Sequence, residues 1–239
     1  AESRWHIRPF VYAEDKQQTP LRFFVAGASY RVFGLIPSQT HLLGVDEPGR
    51  LFILGSDGLG RDVFSRLLYG ARMSLTTAAM ALLISLPLAL LVGSLSGFYG
   101  GKTDFISMRA IELFLALPAL YLVIALRSAL PLSLPPDKVF FAMVTVIALF
   151  GWAALARIIR GATLSIRERD FVLAAKAIGS TDARIIVQHI LPNLTAVTLT
   201  QAALAAPGYI LAEVTLSYLG LGVPEPLPSW GGMLASVGG

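Results

Sequence analysis

The feature that most restricts how this chain can fold is a run of 29 consecutive uncharged residues, 73–101. About 20 apolar residues are enough for a helix to cross the hydrocarbon core of a bilayer. Charged residues make up only 14% of the 239-residue chain, whereas they make up about a quarter of an ordinary soluble domain. The run therefore predicts a membrane-spanning helix, and the composition extends the prediction to the whole protein.

Three further apolar stretches predict additional spans. We place the four spans at about residues 73–98, 106–126, 139–156 and 190–212. Residues 1–72 form an N-terminal segment that contains short extended pieces and ends in an amphipathic lead-in helix. Residues 73–239 then form the transmembrane domain, in which a charged loop, residues 157–189, connects the third span to the fourth. This loop is called the central loop below.

Glycine recurs every fourth residue near the end of the first run, at Gly93, Gly97 and Gly101. Small residues at this spacing allow a neighbouring membrane helix to approach closely. We therefore expect a helix to pack against this glycine face.

The central loop has the pattern of two short helices joined at Gly179. Four apolar residues at i, i+3, i+4 and i+7 share one helix face: Phe171, Ala174, Ala175 and Ile178. Gly179 is expected to end the first helix, and Ser180 to cap the second. Pro192 is expected to begin a new helix, and Asn193 leads into the fourth span. On pattern alone, an amphipathic loop resting on the lipid surface is an equal alternative.

Three stretches of the sequence resemble permease subunits of binding-protein-dependent ABC importers. The first has Ala174-Ala175, Gly179 and Leu191-Pro192-Asn193 at the spacing of the family's signature loop, although Leu173 replaces the usual Glu. The second, residues 54–72, contains Leu-Gly-Ser-Asp followed by Gly-Arg-Asp, and the third, residues 216–231, contains Leu-Ser-Tyr-Leu-Gly-Leu-Gly. These two resemble the dipeptide, oligopeptide and nickel branch of the family.

The resemblance implies an all-α membrane protein with the type I ABC importer (MetI-like) transmembrane helix bundle. Four spans are fewer than the family's six-helix core, so we expect one helix beyond each end of this sequence. The central loop carries six basic residues and residues 217–239 carry none, which favours a cytoplasmic central loop and an extracytoplasmic N-terminal segment. The implied location is the cytoplasmic (inner) membrane of a bacterium or archaeon.

The resemblance also implies the partners. They are a second permease subunit in a heterodimer, two ATPase subunits at the cytoplasmic face and an extracytoplasmic solute-binding protein. The ATPase-coupling residues it implies are Phe171, Ala174, Ala175, Ile178, Gly179, Leu191, Pro192 and Asn193. The implied cargo is a dipeptide or oligopeptide, with nickel or another small solute as the alternative.

ATP is expected to bind the separate ATPase rather than this chain, so we predict neither an enzyme nor a bound cofactor. The turn around Lys102 lacks the first glycine of a phosphate-binding loop, because Ser96 occupies that position. The basic residues do not form the aromatic-interleaved patch typical of nucleic-acid binding. The chain has no cysteine, and its histidines are far apart in sequence, which argues against a metal site.

Three polar residues in or beside the spans are candidates for structural or transport-path roles: Glu112, Tyr209 and Glu213. Arg109 and Glu112 are spaced for an ion pair, which we expect to face the bundle interior. For Glu213 we favour a structural contact with the backbone of the C-terminal tail over a cargo contact. A gradient-driven transporter is a weaker alternative, because three of the four spans are essentially uncharged.

Overall fold

The computed structural model describes residues 20–32, 36–45, 51–118, 121, 125, 135–222 and 227–238. It divides into two compact units, Ala1–Leu68 and Tyr69–Gly239. In the first unit, strands β1 (Arg22–Val32) and β2 (Ile36–Gly44) form an antiparallel hairpin with Arg22 opposite Gly44. The extended pieces predicted in this region thus belong largely to one strand of a hairpin.

The remaining elements are helical. They are α1 (Val63–Tyr99), α2 (Gly101–Ala116), α3 (Pro136–Arg167), α4 (Asp170–Ala177), α5 (Asp182–Ile185), a π-helical turn (Ile186–Ile190), α6 (Leu191–Tyr218) and α7 (Trp230–Gly238). The all-α class predicted for the membrane domain is confirmed.

Three helices of the described chain are long and apolar enough to cross a membrane: Val63–Tyr99, Lys138–Arg167 and Asp182–Tyr218. The first has 37 residues, so it is about 55 Å long and exceeds the hydrocarbon thickness of about 30 Å. The lead-in helix and the first span are therefore one helix. The second predicted span, residues 106–126, begins within α2, and much of its later part lies outside the described residues.

Helices α1 and α3 pack closely at two of the three predicted glycines. A Cβ added at Gly93 would lie 2.7 Å from the Ala156 carbonyl oxygen, and one at Gly97 would lie 2.6 Å from the Thr163 Cβ. Gly101 does not belong to this face, because it begins α2 with φ +51° and faces open space. The glycine stripe is confirmed at Gly93 and Gly97 and wrong at Gly101, where a sharp turn requires the glycine.

The hydrophobic core lies in two clusters along the bundle. One joins α1 to α3 and to the central loop, with Ile159, Val172 and Ile190 among its fully buried members. The other joins the first half of α1 to α3 and α6, around Ala81 and Tyr209. The central loop is thus built into the core on one side instead of only lying on a surface.

Candidate functional site

Helix α4 lies in the central loop, and interactions at both of its ends stabilise it. Asp170 lies in its first turn and Lys176 in its last, where each charge is favoured by the helix dipole. Gly179 adopts φ +83°; its N–H donates to the Lys176 carbonyl at 3.0 Å, and the Ser180 N–H donates to the Ala175 carbonyl at 3.0 Å. This is the paired hydrogen bonding of a Schellman C-cap, which requires a left-handed residue. The predicted helix end at Gly179 is confirmed.

The exposed side of α4 differs from the predicted ridge by one position. Val172 and Ala175 are buried in the core, with 0% and 5% of their surface exposed. The exposed residues include Phe171, Leu173, Ala174 and Ile178, and this apolar set is called the α4 face below. Ile178 is 83% exposed. The assignment of Ala175 to a docking ridge is therefore wrong, because Val172 and Ala175 form the i, i+3 pair that anchors the helix.

The second helix of the central loop continues into the membrane helix. Thr181, not Ser180, is the residue before α5, and it makes no side-chain cap. Pro192 lies in the first turn of α6, as predicted, but α6 continues directly from the π-helical turn without a break in the chain of helices. A proline lacks the N–H that an α-helix would use and crowds the carbonyl four residues earlier. A π turn accommodates this locally without ending the helix.

The other residues of this junction have structural contacts. Asn193 donates its Nδ2 hydrogen bond to the His189 carbonyl at 2.8 Å. The centroids of the Phe171 and His189 rings lie 6.2 Å apart, and Leu191 is partly buried against the core. These contacts tie the start of α6 to α4.

A polar cluster lies at the end of the bundle that carries the central loop. The Asp104 carboxylate, in the first turn of α2, accepts hydrogen bonds from Nε and Nη2 of Arg160 and, at 2.5 Å, from the Ser96 hydroxyl. The hydrogen bonds from Arg160 hold the pKa of Asp104 below its ordinary value, against the opposing effect of partial burial. Arg167 donates from Nη1 to the Gly97 carbonyl at 2.9 Å. The turn at residues 99–104 and the central loop are therefore on the same side, as the span count predicts.

Glu213 is fully buried and accepts two hydroxyl hydrogen bonds. Ser74 of α1 donates to Oε2 at 2.6 Å, and Ser217, one turn further along α6, donates to Oε1 at 2.7 Å. A Cβ added at Gly222 or Gly231 would lie 2.0 Å from the Ser217 Oγ or 2.5 Å from its Cβ, respectively. The predicted structural contact is present, but its partners are hydroxyls and not the tail backbone. The tail glycines instead leave room for Ser217.

Tyr209 is buried and lies beside an apolar cleft. Its hydroxyl donates to the Ser85 Oγ at 3.0 Å, and a Cβ added at Gly151 would lie 2.0 Å from the Tyr209 hydroxyl oxygen. The cleft, of about 510 Å³, lies between α3 and α6. Tyr209 therefore both packs against α3 and lines a cleft.

The predicted ion pair of α2 is present at the surface. Arg109 Nη1 and Glu112 Oε2 are 2.6 Å apart, and the two side chains are 66% and 48% exposed. The expectation that this pair faces the bundle interior is wrong for the described chain. The possible path role of Glu112 stays a prediction.

The turn before α1 is ordered by two aspartates. Asp57 accepts hydrogen bonds from the backbone N–H groups of Leu59 and Arg61, and from Arg61 Nε at 2.7 Å. Asp62 accepts from the N–H groups of Phe64 and Ser65 at 3.2 and 3.1 Å, which caps the start of α1. The Gly-Arg-Asp motif thus encodes a rigid turn and a helix cap.

Sequence reasoning missed the three serines of α1 that make bonds between helices. Ser74, Ser85 and Ser96 are all fully buried and bond to Glu213, Tyr209 and Asp104, respectively. They are spaced eleven residues apart, about three helical turns, which keeps them on nearly one face. This regular spacing is the sequence signal that could have identified these buried serines. Within the described ranges, no group of three or more side chains could hold a metal ion.

The matches to known proteins cover most of the chain. The family model described as "binding-protein-dependent transport system inner membrane component" matches residues 86–238. The chain is 40% identical over 197 residues to the oligopeptide transport system permease protein OppC of Bacillus subtilis, covering 82% of this chain and 63% of that protein. It is 39% identical over 199 residues to the dipeptide transport system permease protein DppC of Bacillus subtilis, covering 83% and 57%.

A third relative is the oligopeptide transport system permease protein OppC of Haemophilus influenzae, 39% identical over 181 residues. That alignment covers 76% of this chain and 56% of the relative. The chain therefore spans between 56% and 63% of the length of these three proteins.

Proposed function

Because the chain belongs to the family of binding-protein-dependent transport system inner membrane components, we propose that it is a permease subunit of an ATP-driven peptide importer. The names of its relatives, oligopeptide and dipeptide transport system permeases, support peptides as the cargo. In this proposal the chain forms half of the translocation path in a bacterial or archaeal cytoplasmic membrane. A second permease subunit forms the other half, and an extracytoplasmic solute-binding protein delivers the peptide.

The observation that carries the proposal is the α4 face. It is an apolar surface on a short helix that ends in a Schellman cap, held between two helices that are long enough to cross a membrane. Ile178 is 83% exposed and Leu173 is 47% exposed. Fully burying one such aliphatic side chain contributes about 1.5–3 kcal/mol, so a few of them can dominate a small interface. We assign this face to docking on one of two ATPase subunits.

The position of Leu173 refines the docking surface. The family's signature loop has Glu where this chain has Leu173, and the side chain lies on the exposed side of α4. A leucine there adds apolar area and cannot make a charged contact. The ATPase surface facing Leu173 is accordingly expected to be apolar.

The test uses Ile178, because this side chain is exposed and makes little contribution to the core. In the full-length subunit co-expressed with its partners, Ile178→Asp should reduce co-purification of the ATPase at least about tenfold, since burying an unpaired carboxylate costs several kcal/mol. Ile178→Leu keeps the apolar area and is the matched control, with wild-type retention expected. ATP-dependent uptake of a labelled peptide should fall in parallel with ATPase retention.

Two results would count against this function. Equal ATPase retention by the Asp and Leu variants would show that the α4 face is not the docking surface. Peptide uptake that persists after ATP depletion and stops with a protonophore would favour a gradient-driven carrier.

A further inference from the structure

We infer that Asp104 is a positioning residue that makes the ends of α1, α2 and α3 move together when the ATPase displaces α4. The inference rests on the proposed function and concerns the turn at residues 99–104, which the docking surface does not include. Four residues form the contact, which is called the Asp104 clamp below: Ser96, Asp104, Arg160 and Arg167.

One carboxylate joins three helices. Asp104 belongs to α2, Ser96 to α1 and Arg160 to α3, and both carboxylate oxygens are engaged by the guanidinium. The side chains of Arg160 and Asp104 are 27% and 20% exposed, so water screens the pair only partly. A two-pronged arginine contact of this kind fixes relative orientation as well as distance. Helix α2 therefore cannot shift along α3 without breaking the pair.

Arg167 makes a neighbouring contact at the end of α1. It is the last residue of α3, and its Nη1 lies 2.9 Å from the Gly97 carbonyl oxygen and 3.4 Å from that of Phe98. Carbonyls at a helix C-terminus lack intrahelical partners, and a cation there is also favoured by the dipole. The close approach at Gly97 places Thr163, on the same face of α3, directly against this turn. The last turn of α1 is thus held by α3 through both packing and charge.

Helix α4 is attached at this same turn. The Lys176 Nζ lies 4.9 Å from the centroid of the Phe98 ring, a cation–π contact. Ala175 and Val172 are buried in the core cluster that contains Phe98. A push on the α4 face therefore reaches the last turn of α1 by a chain of direct contacts, and the Asp104 clamp passes it to α2.

The experiment measures peptide uptake per ATP hydrolysed, in liposomes that contain the full-length subunit with its partner subunits. Asp104→Asn removes the ion pair and leaves the α4 face intact. We expect ATPase retention within about twofold of wild type and uptake per ATP at least about fivefold lower. Arg160→Lys keeps the charge without the two-pronged contact and should give an intermediate ratio.

The matched control is Lys102→Gln, which removes an exposed charge from the first turn of the same helix. A single exposed surface charge contributes little, so its uptake per ATP should equal the wild-type ratio. Because Asp104→Asn could reduce insertion, Lys176→Met provides a second variant at an exposed position. It removes the cation from Phe98 while keeping an apolar side chain, and should lower uptake per ATP at least about twofold.

Each outcome decides the inference. A wild-type ratio in both Asp104→Asn and Lys176→Met would overturn it, as would an equal loss in Lys102→Gln. Reduced insertion with an unchanged ratio in the inserted fraction would show that the clamp is only structural. Absence of ATP-dependent uptake in the wild-type complex would instead reject the proposed function, and the inference with it.

Discussion

The contact between α1 and α3 at Gly97 should be intolerant of even one added carbon. A Cβ there would lie 2.6 Å from the Thr163 Cβ and 2.8 Å from the Arg160 carbonyl oxygen. Non-bonded carbons prefer about 3.5–4.0 Å, so the Gly97→Ala variant must separate the helices by about 1 Å. The obstructing atoms are a backbone oxygen and a β-branched carbon, neither of which can move aside alone.

The expected magnitude follows from two opposing terms. Overpacking a well-packed interface typically costs about 1–3 kcal/mol, whereas replacing glycine by alanine inside a helix gains about 1 kcal/mol. Gly161 lies inside α3, and a Cβ added there meets nothing within 4 Å. Gly161→Ala should therefore show only the gain. The helix-propensity gain cancels when the two variants are compared, which leaves the overpacking cost.

The measurement is the free energy of unfolding of the full-length subunit in mixed detergent micelles, titrated with a denaturing detergent. Gly97→Ala should be less stable than Gly161→Ala by about 1–3 kcal/mol. The two variants carry the same chemical change, so effects on the unfolded chain are matched. If they unfold at the same denaturant concentration, the close contact assigned to α1 and α3 is wrong.

Two further predictions concern the helix cap and the buried carboxylate. Gly179→Val places a β-branched residue at φ +83°, which strains the Schellman cap that orients α4. This variant should lower peptide uptake per ATP while leaving membrane insertion intact. Gly179→Asn should lose less uptake, because asparagine tolerates a positive φ. Unchanged uptake in Gly179→Val would contradict this role. Glu213→Gln should keep peptide uptake and cost about 1 kcal/mol in the free energy of unfolding, whereas Glu213→Leu, which leaves two buried hydroxyls unpaired, should cost about 1–3 kcal/mol. Loss of uptake in a Gln variant of wild-type stability would indicate a cargo contact instead.

The parts of the fold that the sequence predicts are those controlled by local pattern. The uncharged run predicts the membrane-spanning part of α1. Gly179 ends α4 because glycine adopts a positive φ at low cost. The spacing of Gly93 and Gly97 correctly marks a packed face. The same spacing misleads at Gly101, because periodicity does not reveal where a helix stops.

The errors at the candidate site have a common physical origin. The pattern around Ala175 predicts one apolar face of α4, whereas tertiary packing buries Val172 and Ala175 instead. Asp104 and Arg160 are 56 residues apart, and Ser74 and Glu213 are 139 apart. Pairing over such distances depends on how the helices assemble and leaves no trace in local periodicity. Among the coupling residues implied by the family loop, Ala175 is buried in the core, and the coupling role of the others stays a prediction.

Helix α1 organises the bundle through two adjacent faces with different chemistry. Gly93 and Gly97 lie toward α3, where the absence of side chains permits close packing. Ser74, Ser85 and Ser96 define a second face, the serine face, which is rotated by about 100° from the glycine face. Ser74 and Ser85 form hydrogen bonds with α6, and Ser96 forms one with α2. A serine hydroxyl is small enough for close packing and still satisfies a buried polar partner. Because each partner carries its own polar group into the core, a shift of α1 by one turn would leave these groups unpaired at a cost. The serine spacing therefore fixes the register of α1 against its neighbours, which close packing at glycines alone would leave weakly specified.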